Sequence, residues 1–72
     1  MIQKIEFVTP TCVNQMSYNT YYDKDDTVYI LIIDEHIDNV YVYFENGSSG
    51  LIPKKSFVLF SNNNINYITV CA

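Results

Sequence analysis

Residues 40–53 read VYVYFENGSSGLIP, and this stretch decides the fold. Val40 to Phe44 are all β-branched or aromatic, the composition of a strand. Asn46-Gly47 is the strongest short-range hairpin signal in the chain. Residues 50–53 then return as a second strand, and Pro53, which lacks an N–H, belongs at its end or on a sheet edge. Upstream, residues 27–33 (TVYILII) form another β-branched run, separated from Val40 by the polar turn Asp34 to Asn39. Downstream, residues 57–60 and 65–71 read as two more strands around Ser61-Asn62-Asn63-Asn64. At the start of the chain Ile2 to Val8 alternates, with Ile2, Lys4 and Glu6 opposed to Gln3, Ile5 and Phe7, and stops at Thr9-Pro10. Residues 11–20 are polar without a clean period and read as a long ordered loop or a single helical turn. Tyr21-Tyr22 lead into a charged turn, Asp23 to Asp26. No segment of ten or more residues carries the 3.6-residue period of a helix. The expectation is one all-β domain over residues 1–72, a small barrel of five to six short antiparallel strands.

Composition narrows the function. Of the 72 residues, 49% are hydrophobic and 15% aromatic, enough for a core without disulfide or metal staples. Net charge is −4 with no Arg and four scattered Lys, which disfavours direct binding to nucleic acid or to an anionic membrane surface. A protein partner with a basic surface fits that charge better. The longest apolar run, residues 28–33, is too short to span a bilayer. Cys12 and Cys71 make no metal or redox motif, and the first residues lack the basic and apolar regions of a secretory signal, so a cytoplasmic protein with free thiols is expected. His36 is the only histidine, and nothing near it suggests a nucleophile. Residues 23–34 lack the central Gly and terminal Glu of a calcium loop. Gly47 and Gly50 precede no helix, as a phosphate loop would require. No catalytic residue, metal ligand or cofactor site is assigned, and a non-enzymatic role is expected.

The strands themselves carry the candidate surface. Val40, Val42 and Phe44 face one way and Tyr41 and Tyr43 the other; Val28, Ile30 and Ile32 likewise oppose Tyr29, Leu31 and Ile33. Both faces are apolar, while a chain this short buries one face of most strands. Tyr29, Tyr41 and Tyr43 are therefore candidate contact residues for a partner protein. The alternative is that Tyr41 and Tyr43 pack under the N-terminal segment with their hydroxyls at its rim. Register leaves the matter open: a two- or four-residue hairpin loop puts Ile52 with Tyr41 and Tyr43, a three- or five-residue bulged loop puts it with Val42 and Phe44. Two acidic clusters, Asp23/Asp25/Asp26 and Asp34/Glu35/Asp38, read either as solvated turns or as contacts for a basic partner, with Asp34 and Glu35 the candidates beside the tyrosines. An exposed strand edge would allow a homo-oligomer instead, a structural role.

From Thr27 to Phe60 the order of features resembles an SH3-like barrel. TVYILII, an acidic turn, VYVYF, the polar hairpin ENGSSG, the Gly50-Leu51-Ile52-Pro53 strand and then Lys54-Lys55-Ser56-Phe57-Val58 follow the family's pattern, with a short 3₁₀ turn expected after Pro53. The resemblance implies Pro53 and Phe57 as groove residues. It departs at the groove Trp, whose place falls near Tyr41, and at the N-terminal Ala-Leu-Tyr-Asp-Tyr pattern, which is absent. Nine Ile, eight Asn, seven Tyr, four Lys and four Phe give a composition encoded by AT-rich codons. Short proteins of that make-up resemble products of low-GC bacteria and their phages, which suggests a small phage or mobile-element inhibitor that occupies a host protein in the host cytoplasm. With both thiols free, Cys12 and Cys71 of the unfolded protein are expected to react with a thiol reagent without prior reduction. A pair that reacts only after reductant is added would reveal a disulfide instead.

Overall fold

The alternating runs do form strands, and two further strands arise where no period was visible. In the computed structural model, which describes residues 2–60 and the backbone of residues 67–69, the order is β1 (Ile2–Phe7), β2 (Thr11–Gln15), β3 (Tyr18–Tyr22), β4 (Thr27–Glu35), β5 (Asn39–Phe44), β6 (Ser49–Pro53), a 3₁₀ helix (Lys54–Ser56), β7 (Phe57–Phe60) and β8 (Tyr67–Thr69). All eight belong to one antiparallel sheet in the order β3-β2-β6-β5-β4-β1-β7-β8, with no α-helix among the described residues. Among the described residues the end strands β3 and β8 do not pair with each other, so the ladder is not closed. Residues 61–64 and Cys71, expected as a turn and a strand end, lie outside the described residues.

Five to six strands were expected because residues 11–20 read as a loop. They instead form most of the β2–β3 hairpin, turning at Met16-Ser17 between the paired Gln15 and Tyr18. Alternation is present there, since Thr11, Val13 and Gln15 are buried while Cys12 and Asn14 are exposed. Two of the three inward positions are polar, which hides the pattern from a hydrophobicity reading. Gln15 is satisfied inside: its Nε2 donates to Ser48 Oγ at 3.0 Å, and the Thr20 hydroxyl donates to its Oε1. Ser48 in turn donates to Asn46 Oδ1 at 2.7 Å, and Asn46 Nδ2 donates to the Tyr18 hydroxyl at 2.7 Å. A polar chain thus ties the β2–β3 hairpin to the β5–β6 turn, and buried amides are tolerated only when paired in this way.

The β5–β6 register is settled by Gly47. Its N–H donates to Phe44 O at 3.0 Å, its φ is +89°, and Phe44 N donates to Ser48 O at 2.8 Å. This is a three-residue bulged loop with glycine in the left-handed position. Val40 therefore pairs with Ile52 and Val42 with Gly50, so Ile52 joins Val40, Val42 and Phe44. These four, with Ile5, Phe7, Val13, Ile30 and Phe57, form the buried core on one side of the sheet.

The sheet curls over that core. Tyr22 of β3 stacks on Phe7 of β1 with ring centroids 4.5 Å apart, although the two strands stand five places apart in the sheet. The other side of Tyr22 reaches Phe44 at 6.3 Å. The turn Asp23 to Asp26 holds this closure by backbone: Asp25 N donates to Phe7 O at 2.7 Å and Phe7 N to Asp26 O at 2.9 Å. Asp26 also accepts from the Asp23 N–H at 2.7 Å, so its carboxylate is part of the turn.

Gly50 sits where β2 meets β6, opposite Gln15. A Cβ there would stand 2.8 Å from the Asn14 carbonyl oxygen, a backbone atom with little freedom to move. Gly50→Ala is expected to lower stability by about 1–3 kcal/mol, the usual cost of overpacking a tight site. Urea denaturation should show a lower midpoint with an unchanged slope; a midpoint equal to wild type would mean that β2 and β6 are not in this contact.

Candidate functional site on the outer face of the sheet

Burial of one face leaves the opposite one in solvent, and that face is not polar. The pairing aligns its residues strand by strand. Ile2 pairs with Leu31, Leu31 with Tyr43, Lys4 with Tyr29, and Tyr41 with Leu51. Tyr43 and Leu51 are each 48% exposed, Tyr29 and Ile33 44% and Ile2 61%. Ile2, Tyr29, Leu31 and Tyr43 line a groove of about 380 Å³ that ends at Glu45 and Gly47. Tyr41 lies half-buried beside it, with its hydroxyl 2.8 Å from Ser49 Oγ, and shares a second groove of about 440 Å³ with Met16 and Leu51. Tyrosines with their rings on an apolar surface and their hydroxyls at its border are the side chains favoured at protein interfaces.

A bulge explains how β4 keeps this face while changing its chemistry. Ile32 pairs with Val42 and Asp34 with Tyr41, so Ile33 is the extra residue. The shift puts Asp34 on the outer side where alternation alone would send it inward. Asp34 lies 3.7 Å from His36, and Glu35 is 2.8 Å from the ammonium of Lys54, whose side chain is buried. Glu35 thereby serves as a partner for a buried cation. The other end of the face is marked by Lys4, whose ammonium stands 5.9 Å from the Tyr29 ring centroid and 5.0 Å from that of Phe60.

Of the residues named from sequence, the structure brings Tyr29, Tyr41, Tyr43 and Asp34 to this face. Pro53 is partly exposed at the far end of β6, opposite Asn39. Phe57 requires correction as a contact residue. It pairs with Phe7 in the ladder, both rings point inward, and Phe57 is 1% exposed, so it presents no surface to a partner. Phe57 therefore lines no surface groove with Pro53 among the described residues. Leu51, Leu31, Ile2 and Ile33 were not singled out. Leu51 was hidden by the open hairpin register, and Ile2 by a β1–β4 pairing that no local pattern reveals.

Among the described residues no group of three or more His, Cys, Asp or Glu side chains is placed to hold a metal ion, and no helix is long and apolar enough to cross a membrane. No family model, curated protein or solved structure matches the chain.

Two tyrosines of β3 are held above the ordinary phenol range. Burial raises Tyr22, with smaller contributions from Tyr18 and Asp26; a hydrogen bond with the neighbouring Cys12 raises Tyr21. A phenol that keeps its proton longer when folded contributes stability below the unfolded value of about 10, and that contribution is lost as pH rises past it. Phenolate absorbance should therefore show a late-titrating component that Tyr22→Phe reduces. The same variant should stay folded to higher pH than wild type. Ionisation of all tyrosines together would contradict the stacked position of Tyr22.

Proposed function

We propose that this protein is a non-enzymatic binding module of SH3-like architecture that acts by occupying a surface of another protein, as a small phage or mobile-element inhibitor would. The observation that carries the reading is the outer face itself: an aromatic and aliphatic patch centred on Tyr43, Leu31 and Leu51, fixed on rigid strands and bordered by acidic side chains. Such a patch, exposed on a chain whose core is already complete, is the usual mark of an interaction surface. A partner that fits it has an apolar centre and a basic rim, in keeping with the net charge of −4.

Support for the SH3-like architecture comes from the order of elements. A first strand is followed by a hairpin, then by the β4–β5–β6 meander, then by a 3₁₀ helix directly after Pro53, and β7 returns to pair with β1. The proline-peptide groove of that family is not carried over, because Phe57 is core and no Trp occurs in the sequence. The contact surface proposed here is the outer face, reached from a different side of the same strands.

The test compares outer-face and core variants. Tyr43→Ala and Leu51→Ala should weaken binding of a partner captured from host lysate at least tenfold, about 1.4 kcal/mol, with the melting temperature nearly unchanged. Val42→Ala, one residue away and facing inward, should instead lower stability by about 2 kcal/mol with binding by the folded fraction intact. Equal binding by wild type and the Tyr43/Leu51 double variant would end the proposal.

A further inference from the structure

β3 is an end strand, paired with β2 on one side and with nothing on the other among the described residues. Its pairing partners fix which backbone groups are free. The hairpin turns at Met16-Ser17 with Gln15 and Tyr18 as the closing pair, so Tyr18, Thr20 and Tyr22 point their N–H and C=O toward β2. The N–H and C=O of Asn19 and Tyr21 point the opposite way, off the edge of the sheet. Natural edges are blunted by Lys, Pro, a bulge or an inward charge. β3 reads YNTYY and has none of these, and Tyr21 is 77% exposed.

One symmetric register uses every free group. If two β3 strands meet antiparallel with Thr20 opposite Thr20, Asn19 of each faces Tyr21 of the other, and the outward N–H and C=O of both residues find partners. Tyr18 then lies opposite Tyr22. The same register carries the acidic turn Asp23 to Asp26 of each copy to the uncharged Met16-Ser17 turn of the other, at opposite ends of the contact. A parallel arrangement would bring the two acidic turns together.

We propose that β3 pairs with β3 of a second copy of this chain, antiparallel about a twofold axis through Thr20, to continue the sheet across a homodimer. This surface is separate from the outer-face patch, and the dimer presents two such patches. The interface is isologous, so it closes at two copies.

The register makes the test specific. Thr20 and its symmetry mate form a non-hydrogen-bonded pair with Cα atoms about 4.5 Å apart, within disulfide reach. Tyr21 and its mate are diagonal neighbours at about 7–8 Å, at or beyond that reach. In a Cys12→Ser, Cys71→Ser background, Thr20→Cys should give a covalent dimer on mild oxidation and Tyr21→Cys should not. In sedimentation at high micromolar concentration the wild-type chain should be dimeric. Tyr21→Lys, a change at an exposed position, should weaken self-association at least tenfold. Tyr43→Ala should leave it unchanged. A chain that stays monomeric at every concentration overturns the proposal. So does a dimer that Tyr21→Lys does not weaken, one that cross-links equally at positions 20 and 21, or one that Tyr43→Ala dissociates.

Discussion

A single sheet has two faces, and a chain of 72 residues can cover only one of them. Everything distinctive about this protein follows from that limit. Its strands carry apolar residues on both sides, so the fold has to choose, and the curl over Phe7, Tyr22 and Phe44 makes the choice. With Tyr22 closed down on Phe7, the side bearing Ile5, Val42 and Ile52 is sealed. Tyr29, Tyr43 and Leu51 are left outside because no layer of the described chain remains to cover them.

The polar groups serve the same arrangement. Gln15, Thr20, Ser48, Asn46 and Tyr18 hold the β2–β3 hairpin against the β5–β6 turn, and Gly50 lets the two strands approach. Buried Lys54 is neutralised by Glu35 at the opposite end of β5. These contacts lie at the two ends of the central strands, so the outer face between them is framed by fixed backbone. A surface of that kind loses little side-chain or loop entropy when a partner docks, which is the advantage of a preorganised site.

Much of this is legible in the amino-acid sequence. The β-branched runs at residues 27–33 and 40–44 and the turn at Asn46-Gly47 stand where local chemistry puts them, and the 3₁₀ turn after Pro53 stands where the resemblance to an SH3-like barrel implies it. What was not legible has physical reasons. The β2–β3 hairpin turns on Met16-Ser17, without the Gly, Asn or Pro that announce a turn, and two of its inward residues are polar. Phe57 heads a run, FVLF, in which every residue is apolar, so alternation cannot say which ring goes inside. Ile33 stands in a bulge that depends on pairing with β5, a property of two strands rather than one. The faces of β5 and β6 waited on one glycine with a positive φ. Local pattern thus identified the strands, while register and curl, which are non-local, assigned their sides.

The proposed binding surface depends on that assignment of sides. Its most direct measurement is nuclear magnetic resonance with a soluble paramagnetic agent, read at neighbouring residues of one strand. Leu51 and Ile52 differ by a single position, as do Tyr43 and Val42, and each pair is split between the two faces. Strong relaxation is expected for the Leu51 methyls and the Tyr43 ring, with Ile52 and Val42 protected. Leu51 and Tyr43 found as protected as Ile52 and Val42 would mean that the outer face is covered by the protein itself, and the proposed binding surface would not exist.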